Sequence, residues 1–211
     1  MRSTSLLMLV ALFCCMSCNQ PNNKQKENKD SVANPLRVDV IANNEVQHLI
    51  DSFVKAYEQR NDAAVNQLIH PDLGLTIIYR PGVADTFTKI ETFDFKKPIP
   101  AYYAYPEAKS SYNLTFDKLP DYDCATEKWN KVGLYCDTTV RPVQLSQIVA
   151  FELEFEPHKY AKEQITEIQK SEKDSYRVIL TGENPLVFHL QKYNDNWYVT
   201  VLDRAYGGCD A

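Results

Sequence analysis

The chain has 211 residues, with 23 Lys and Arg against 28 Asp and Glu, a net charge of −5. That length suits one domain with an appendage, and 44 % hydrophobic with 24 % charged residues excludes a disordered or collagen-like chain. No apolar run reaches 18 residues, so a polytopic membrane protein is excluded, and the acidic balance argues against a nucleic-acid partner.

Arg2 precedes an 11-residue apolar run at 6–16, the layout of an export signal and too short for a permanent membrane span. It ends in Cys15-Met16-Ser17-Cys18. A small residue directly before a cysteine, just after an apolar core, resembles a bacterial lipobox, of the loose kind seen in Bacteroides-type lipoproteins. The resemblance implies that residues 1–17 are a lipoprotein signal peptide and that Cys18 carries the lipid. The alternative is an ordinary signal peptide cut near Ser17. Residues 18–34 are polar and free of aromatics, and read as a flexible tether. Lys24, Lys26 and Lys29 offset Glu27 and Asp30, unlike the acidic surface-export signals of that group. The expected location is therefore the cell envelope, on the outer membrane facing the periplasm.

In an oxidising compartment disulfides persist. Cys14 and Cys15 leave with the signal and Cys18 is lipidated, so Cys124, Cys136 and Cys209 remain. Three pairings are open, and Cys124 with Cys136, the nearest in sequence, is the disulfide candidate.

Residues 35–211 read as a single domain. Val46, Leu49, Ile50, Phe53, Val54 and Tyr57 form one stripe at the helical period, predicting a helix over 44–60. A shorter helix follows, capped by Asp62, with Ala64, Val65, Leu68 and Ile69 inward, and His70-Pro71 ends it. Residues 73–80 alternate as a strand, and Pro81-Gly82 turns the chain. Residues 85–143 form an irregular region, with a strand at 112–116 and a short helix at 125–131 as its only expected elements. Val149, Phe151, Leu153 and Phe155 alternate with Glu152, Glu154 and Glu156, predicting a strand with a solvated acidic face. Further strands are expected over 165–170, 176–181, 186–193 and 197–203, joined by short polar turns as an antiparallel meander.

Helices first and an antiparallel sheet after is an α+β arrangement. Residues 46–69, a long helix, a short helix and His-Pro, together with 186–203 (LVFHLQKYNDNWYVTVLD), resemble the nuclear transport factor 2-like, or cystatin-like, fold. That resemblance implies N-terminal helices packed in a curved sheet that forms a cone. It implies no function, because the fold hosts isomerases, dehydratases and many non-enzymes.

Three residues are candidate acid–base groups. His70 and Asp72 lie in a His-Pro-Asp turn that would sit at the mouth of the cone. Asp203 falls on the same strand face as Trp197, Val199 and Val201, which would bury a carboxylate in the cavity and raise its pKa. Tyr102, Tyr103 and Tyr105 are candidate binding residues for a small ligand or an envelope protein, since tyrosine offers a flat apolar body and a polar tip. His189 falls on a half-exposed face with no ligand role expected. No metal, nucleotide or hydrolase motif occurs, so no metal and no cofactor are expected. Two functions follow: a lipid-anchored, non-catalytic binding module, or a cavity enzyme doing acid–base chemistry on a small organic substrate.

Overall fold

A computed structural model describes residues 35–109 and 111–206. The signal peptide, Cys18, the tether and Cys209 lie outside the described residues.

Helix α1 runs Pro35–Glu58 and α2 runs Asp62–Asn66. All six stripe residues of α1 are buried in the main core. Asn61, not Asp62, caps α2: its side chain accepts the Ala64 N–H. The Asp62 carboxylate instead accepts the Phe95 N–H at 2.8 Å, tying the following loop to the helix.

Seven strands form one sheet in the order β2-β1-β9-β8-β7-β6-β3. These are β1 Leu75–Tyr79, β2 Thr86–Ile90, β3 Leu114–Phe116, β6 Leu134–Asp137, β7 Ser175–Leu180, β8 Leu186–Tyr193 and β9 Asn196–Asp203. The run β6-β7-β8-β9 is antiparallel, as expected for the last three. Two pairs, β1 with β9 and β3 with β6, are parallel. The chain is thus α+β, with a large, mostly antiparallel sheet.

Three expectations fail. Of the stretch 148–156, residues 148–155 belong to helix α3, Gln144–Phe155, and residues 165–170 belong to helix α4, Lys162–Lys173. Leu145, Ile148, Val149 and Glu152 are the buried set of α3, spaced for a helix. The alternating Phe151 and Phe155 are exposed, so half of the strand pattern came from surface residues. In place of a helix at 125–131 there is a hairpin of β4 Tyr122–Asp123 and β5 Lys128–Trp129. Finally, β2 lies inside the stretch that carried no readable pattern.

The sheet separates two layers. Leu75, Ile77, Phe188, Leu190, Val199 and Leu202 face α1 and α2. Ile78 and Val201 face the other way, against Leu145 and Ile148 of α3. On β9 the inward residues Val199 and Leu202 are three apart instead of two. The cause is a β-bulge: His189 pairs with Val201 and Leu190 with Val199, leaving Thr200 unpaired. One extra residue moves Val201 and Asp203 onto the α3 face. Asp203 therefore does not share a face with Trp197 and Val199.

Candidate functional site

Asp203 ends β9 and is buried. Its Oδ2 accepts from Arg177 Nη2 at 2.7 Å, and its Oδ1 accepts the N–H groups of Ala205 and Tyr206 at 3.1 and 3.2 Å. Arg177 stands two strands away on β7 and reaches across β8. Its guanidinium carries the Tyr206 ring at 4.5 Å. Burial raises the Asp203 carboxyl, and the Arg177 cation pulls it back. The direction of the shift agrees with expectation, but three donors already occupy the carboxylate, so it is not poised to move a proton.

Asp203 and Arg80 together line two neighbouring cavities. One, about 270 Å³, lies between the β1–β2 turn and α3, over Ile78, Gln144, Gln147 and Ile148. Arg80 Nε donates to Asp85 Oδ1 there at 2.6 Å. The other, about 290 Å³, lies at the C-terminal ends of β1 and β9 and is lined by Tyr57, Tyr79, Tyr102, Tyr103, Arg204 and Tyr206. So the structure brings Asp203 together with Tyr102 and Tyr103.

Arg204 builds the wall of this second cavity. Its backbone N–H continues the parallel pairing by donating to the Ile78 carbonyl at 2.8 Å. Its guanidinium donates to the carbonyls of Ile99, Tyr103 and Ala104 and lies between the Tyr103 and Tyr105 rings, at 4.6 and 4.5 Å. One arginine therefore clamps the tyrosine loop to the end of the sheet. The three tyrosines then divide. Tyr102 is 74 % and Tyr103 51 % exposed, whereas Tyr105 is 2 % exposed. Tyr105 packs on Phe93 at 4.7 Å and Phe95 at 5.9 Å. It is a core residue, and a surface role for it is overturned.

His70 and Asp72 sit elsewhere. The His70 ring meets Tyr193 and Tyr198 edge-on, each at 4.8 Å. Its Nδ1 accepts the Asp72 N–H at 3.1 Å, while the Asp72 carboxylate stands 3.9 Å off. Gly74, at φ +63, completes the turn, and a Cβ there would lie 2.7 Å from the Ile90 carbonyl oxygen. Tyr198 is at the start of β9 and Asp203 at its end, roughly 16 Å apart at 3.3 Å per residue. The three acid–base candidates do not converge.

Two polar groups that the sequence had placed on surfaces are buried. His189 is 1 % exposed. Burial and the Arg177 cation hold its pKa well below the usual histidine range, so the ring is neutral. It lines a groove of about 770 Å³ between α4 and the sheet, together with Asp72. Glu152 of α3 accepts from Thr86 Oγ1 at 2.8 Å, from Tyr160 Oη and from Lys159 Nζ at 3.0 Å. Burial works to raise its carboxyl, but these donors outweigh that and hold it below the ordinary value. A buried polar residue inside a misassigned strand has no sequence signal of its own.

The cysteine pairing also changes. Cys136 is a free thiol buried in the core of β6, where burial pushes its pKa up to about 12. Cys124, in the exposed β4–β5 turn, is disulfide-bonded, and the free Cys136 is not its partner. The Cys124–Cys136 bridge is therefore excluded, because Cys136 points into the apolar core while Cys124 lies at the surface.

Among the described residues, no group of three or more His, Cys, Asp or Glu is placed to hold a metal ion, and no helix is long and apolar enough to cross a membrane. Compared with protein families, with curated proteins and with solved structures, the chain matches none.

Proposed function

We propose that the protein is a lipid-anchored envelope protein, held by Cys18, whose folded domain is a non-catalytic binding module. Its ligand would be a small molecule seated at the strand ends beneath Tyr102 and Tyr103. The observation that carries this reading is the state of Asp203. Its carboxylate is spent on Arg177 and two backbone donors, while the adjoining cavity keeps two exposed tyrosine rings. Rings held by a fixed loop offer flat faces to a sugar-like or aromatic ligand at little entropic cost. The acid–base alternative rests on the same carboxylate at a cavity wall, but His70 and Asp72 lie at the far end of β9 and supply it no partner. The nuclear transport factor 2-like reading of the fold is supported by α1 packing on the sheet and by the antiparallel run that closes the domain.

Native mass spectrometry of the protein expressed in a periplasm, against the denatured mass of the same sample, tests binding. An added mass that disappears on denaturation, and that Y102A/Y103A does not retain, is expected. A bare native mass in the wild type, or turnover abolished by D203N, would move the assignment away from a binding module. Metabolic labelling with an alkyne fatty acid should tag the wild type and not C18A.

A further inference from the structure

We propose that the groove between α4 and the sheet is a second ligand site, on the opposite face from α1, taking an uncharged molecule with an apolar body and a hydrogen-bonding group that reaches His189. The groove exists because the second helical layer is only half seated. Helix α3 packs onto Ile78 and Val201 through Leu145 and Ile148, whereas Ile168 is the α4 residue joined to that cluster. Most of α4 is exposed; its covered face is Ile165, Ile168, Ser171 and Glu172, of which the isoleucines are the only apolar members. The sheet beyond Val201 is thus left without an apolar cover, and the space there is about 770 Å³, the size of a pocket for a drug-sized ligand.

The floor is unlike a surface that was merely left bare. It carries Thr76, Ser175, His189, Gln191 and Thr200 beside Val201, and none of these bears a charge when His189 is neutral. His189 Nε2 is buried without a hydrogen-bond partner. A buried polar atom left unpaired is costly, and native folds rarely retain one without a use. The bulge at Thr200 is part of the same floor, and bulges recur where a strand must re-aim side chains at a site. Lys89, Glu167, Lys170 and Lys192 are set at the exposed rim. Glu172, buried in the wall, accepts the Ser146 N–H at 3.0 Å and would repel an anion. A charged ligand would lose its hydration against a neutral floor. An uncharged ligand avoids that loss and can give Nε2 its missing partner.

The test uses the purified full chain and N-phenylnaphthylamine, an uncharged diarylamine with one N–H, whose fluorescence rises in apolar surroundings. Saturable one-to-one binding is expected, with the sulfonated analogue anilinonaphthalenesulfonate bound at least tenfold more weakly, in line with the cost of desolvating a charge. H189L should weaken the diarylamine about tenfold, the worth of one neutral hydrogen bond. I168W, which enlarges the side chain that α4 sets over the groove beside Val201, should abolish binding while far-UV circular dichroism stays native. Y102A/Y103A should leave it intact. Absence of saturable binding, binding that survives I168W, or loss in Y102A/Y103A would overturn the proposal. The last two results would also separate it from the site at the strand ends.

Discussion

Replacing Arg177 by methionine tests whether the end of the sheet holds a desolvated ion pair. Arg177 Nη2 lies 2.7 Å from Asp203 Oδ2, with 12 % and 4 % of the two side chains exposed. At that burial, removing the cation strands a carboxylate, which costs about 3–5 kcal/mol. The N–H groups of Ala205 and Tyr206 still reach Oδ1, so the loss belongs in the lower half of that range. For a domain of this size it is a fall in Tm of roughly 6–16 °C, at about 2–4 °C per kcal/mol. Urea unfolding followed by the fluorescence of Trp129 and Trp197 reads the loss directly, with an unchanged m-value as the control. The pH dependence fixes the sign. Burial raises the Asp203 carboxyl and Arg177 opposes it, so without the arginine the carboxyl rises further. A carboxyl whose folded pKa exceeds its unfolded value penalises the fold at higher pH, and the penalty fades as pH falls through the folded value. The gap between R177M and the wild type should therefore narrow on acidification. R177M/D203L, with neither charge, should recover most of the loss. A loss below about 1 kcal/mol, or a gap that stays flat with pH, would refute the burial of this pair.

Cys136 should resist iodoacetamide in the native protein and react once the chain is unfolded, because the thiol is buried and its pKa is pushed up to about 12. Non-reducing peptide mapping should join Cys124 to Cys209, the cysteine that remains. Tyr206 stands three residues before it, with its ring 5.6 Å from Trp129 in the hairpin that carries Cys124; a peptide joining Cys124 to Cys136 would contradict this. The depressed pKa of Glu152 gives stability that is present above the unfolded value of about 4.3 and is lost as pH falls through the folded one. E152Q should accordingly lose about 1.5–3 kcal/mol at neutral pH and less in acid, and chemical denaturation at the two pH values would expose an equal loss. Y105A should cost about 3–5 kcal/mol, as for other large aromatic truncations in a core, while Y102A stays within about 0.5 kcal/mol; comparable values in thermal melts would mean that the loop is not clamped as described.

The parts of the fold that the sequence displays are those whose local pattern and tertiary role coincide. Helix α1 carries its core stripe at the helical period, and β8 and β9 are bounded by polar turns, so all three are legible. In α3 they diverge. Val149, Phe151, Leu153 and Phe155 alternate like a strand, yet two of the four are exposed phenylalanines, and the residues that pack are spaced for a helix. Helix α4 is nearly all polar, and its two isoleucines, Ile165 and Ile168, are too few to fix a period, so the stretch reads as a strand. The candidate site was half visible. Tyrosine spacing located the loop at 102–105, but only the position of Arg204 decides that two rings face outward and one inward. His189 was invisible, because a histidine between Phe188 and Leu190 is placed by alternation and its cover depends on a helix that was read as a strand.

The bulge at Thr200 gives β9 a parity. Upstream of it odd-numbered residues belong to the α1 layer, and downstream of it even-numbered ones do. Deleting Thr200 would leave every later residue's chemistry intact and reverse its address: Asp203 would be delivered into the apolar layer around Phe53 and Phe188, and Leu202 to the layer beside Arg177. Insertions and deletions along this strand therefore act as frame shifts in three dimensions. A relative of this protein could keep each side chain of the strand end and still lose the ion pair, unless a compensating residue restored the count before Val201.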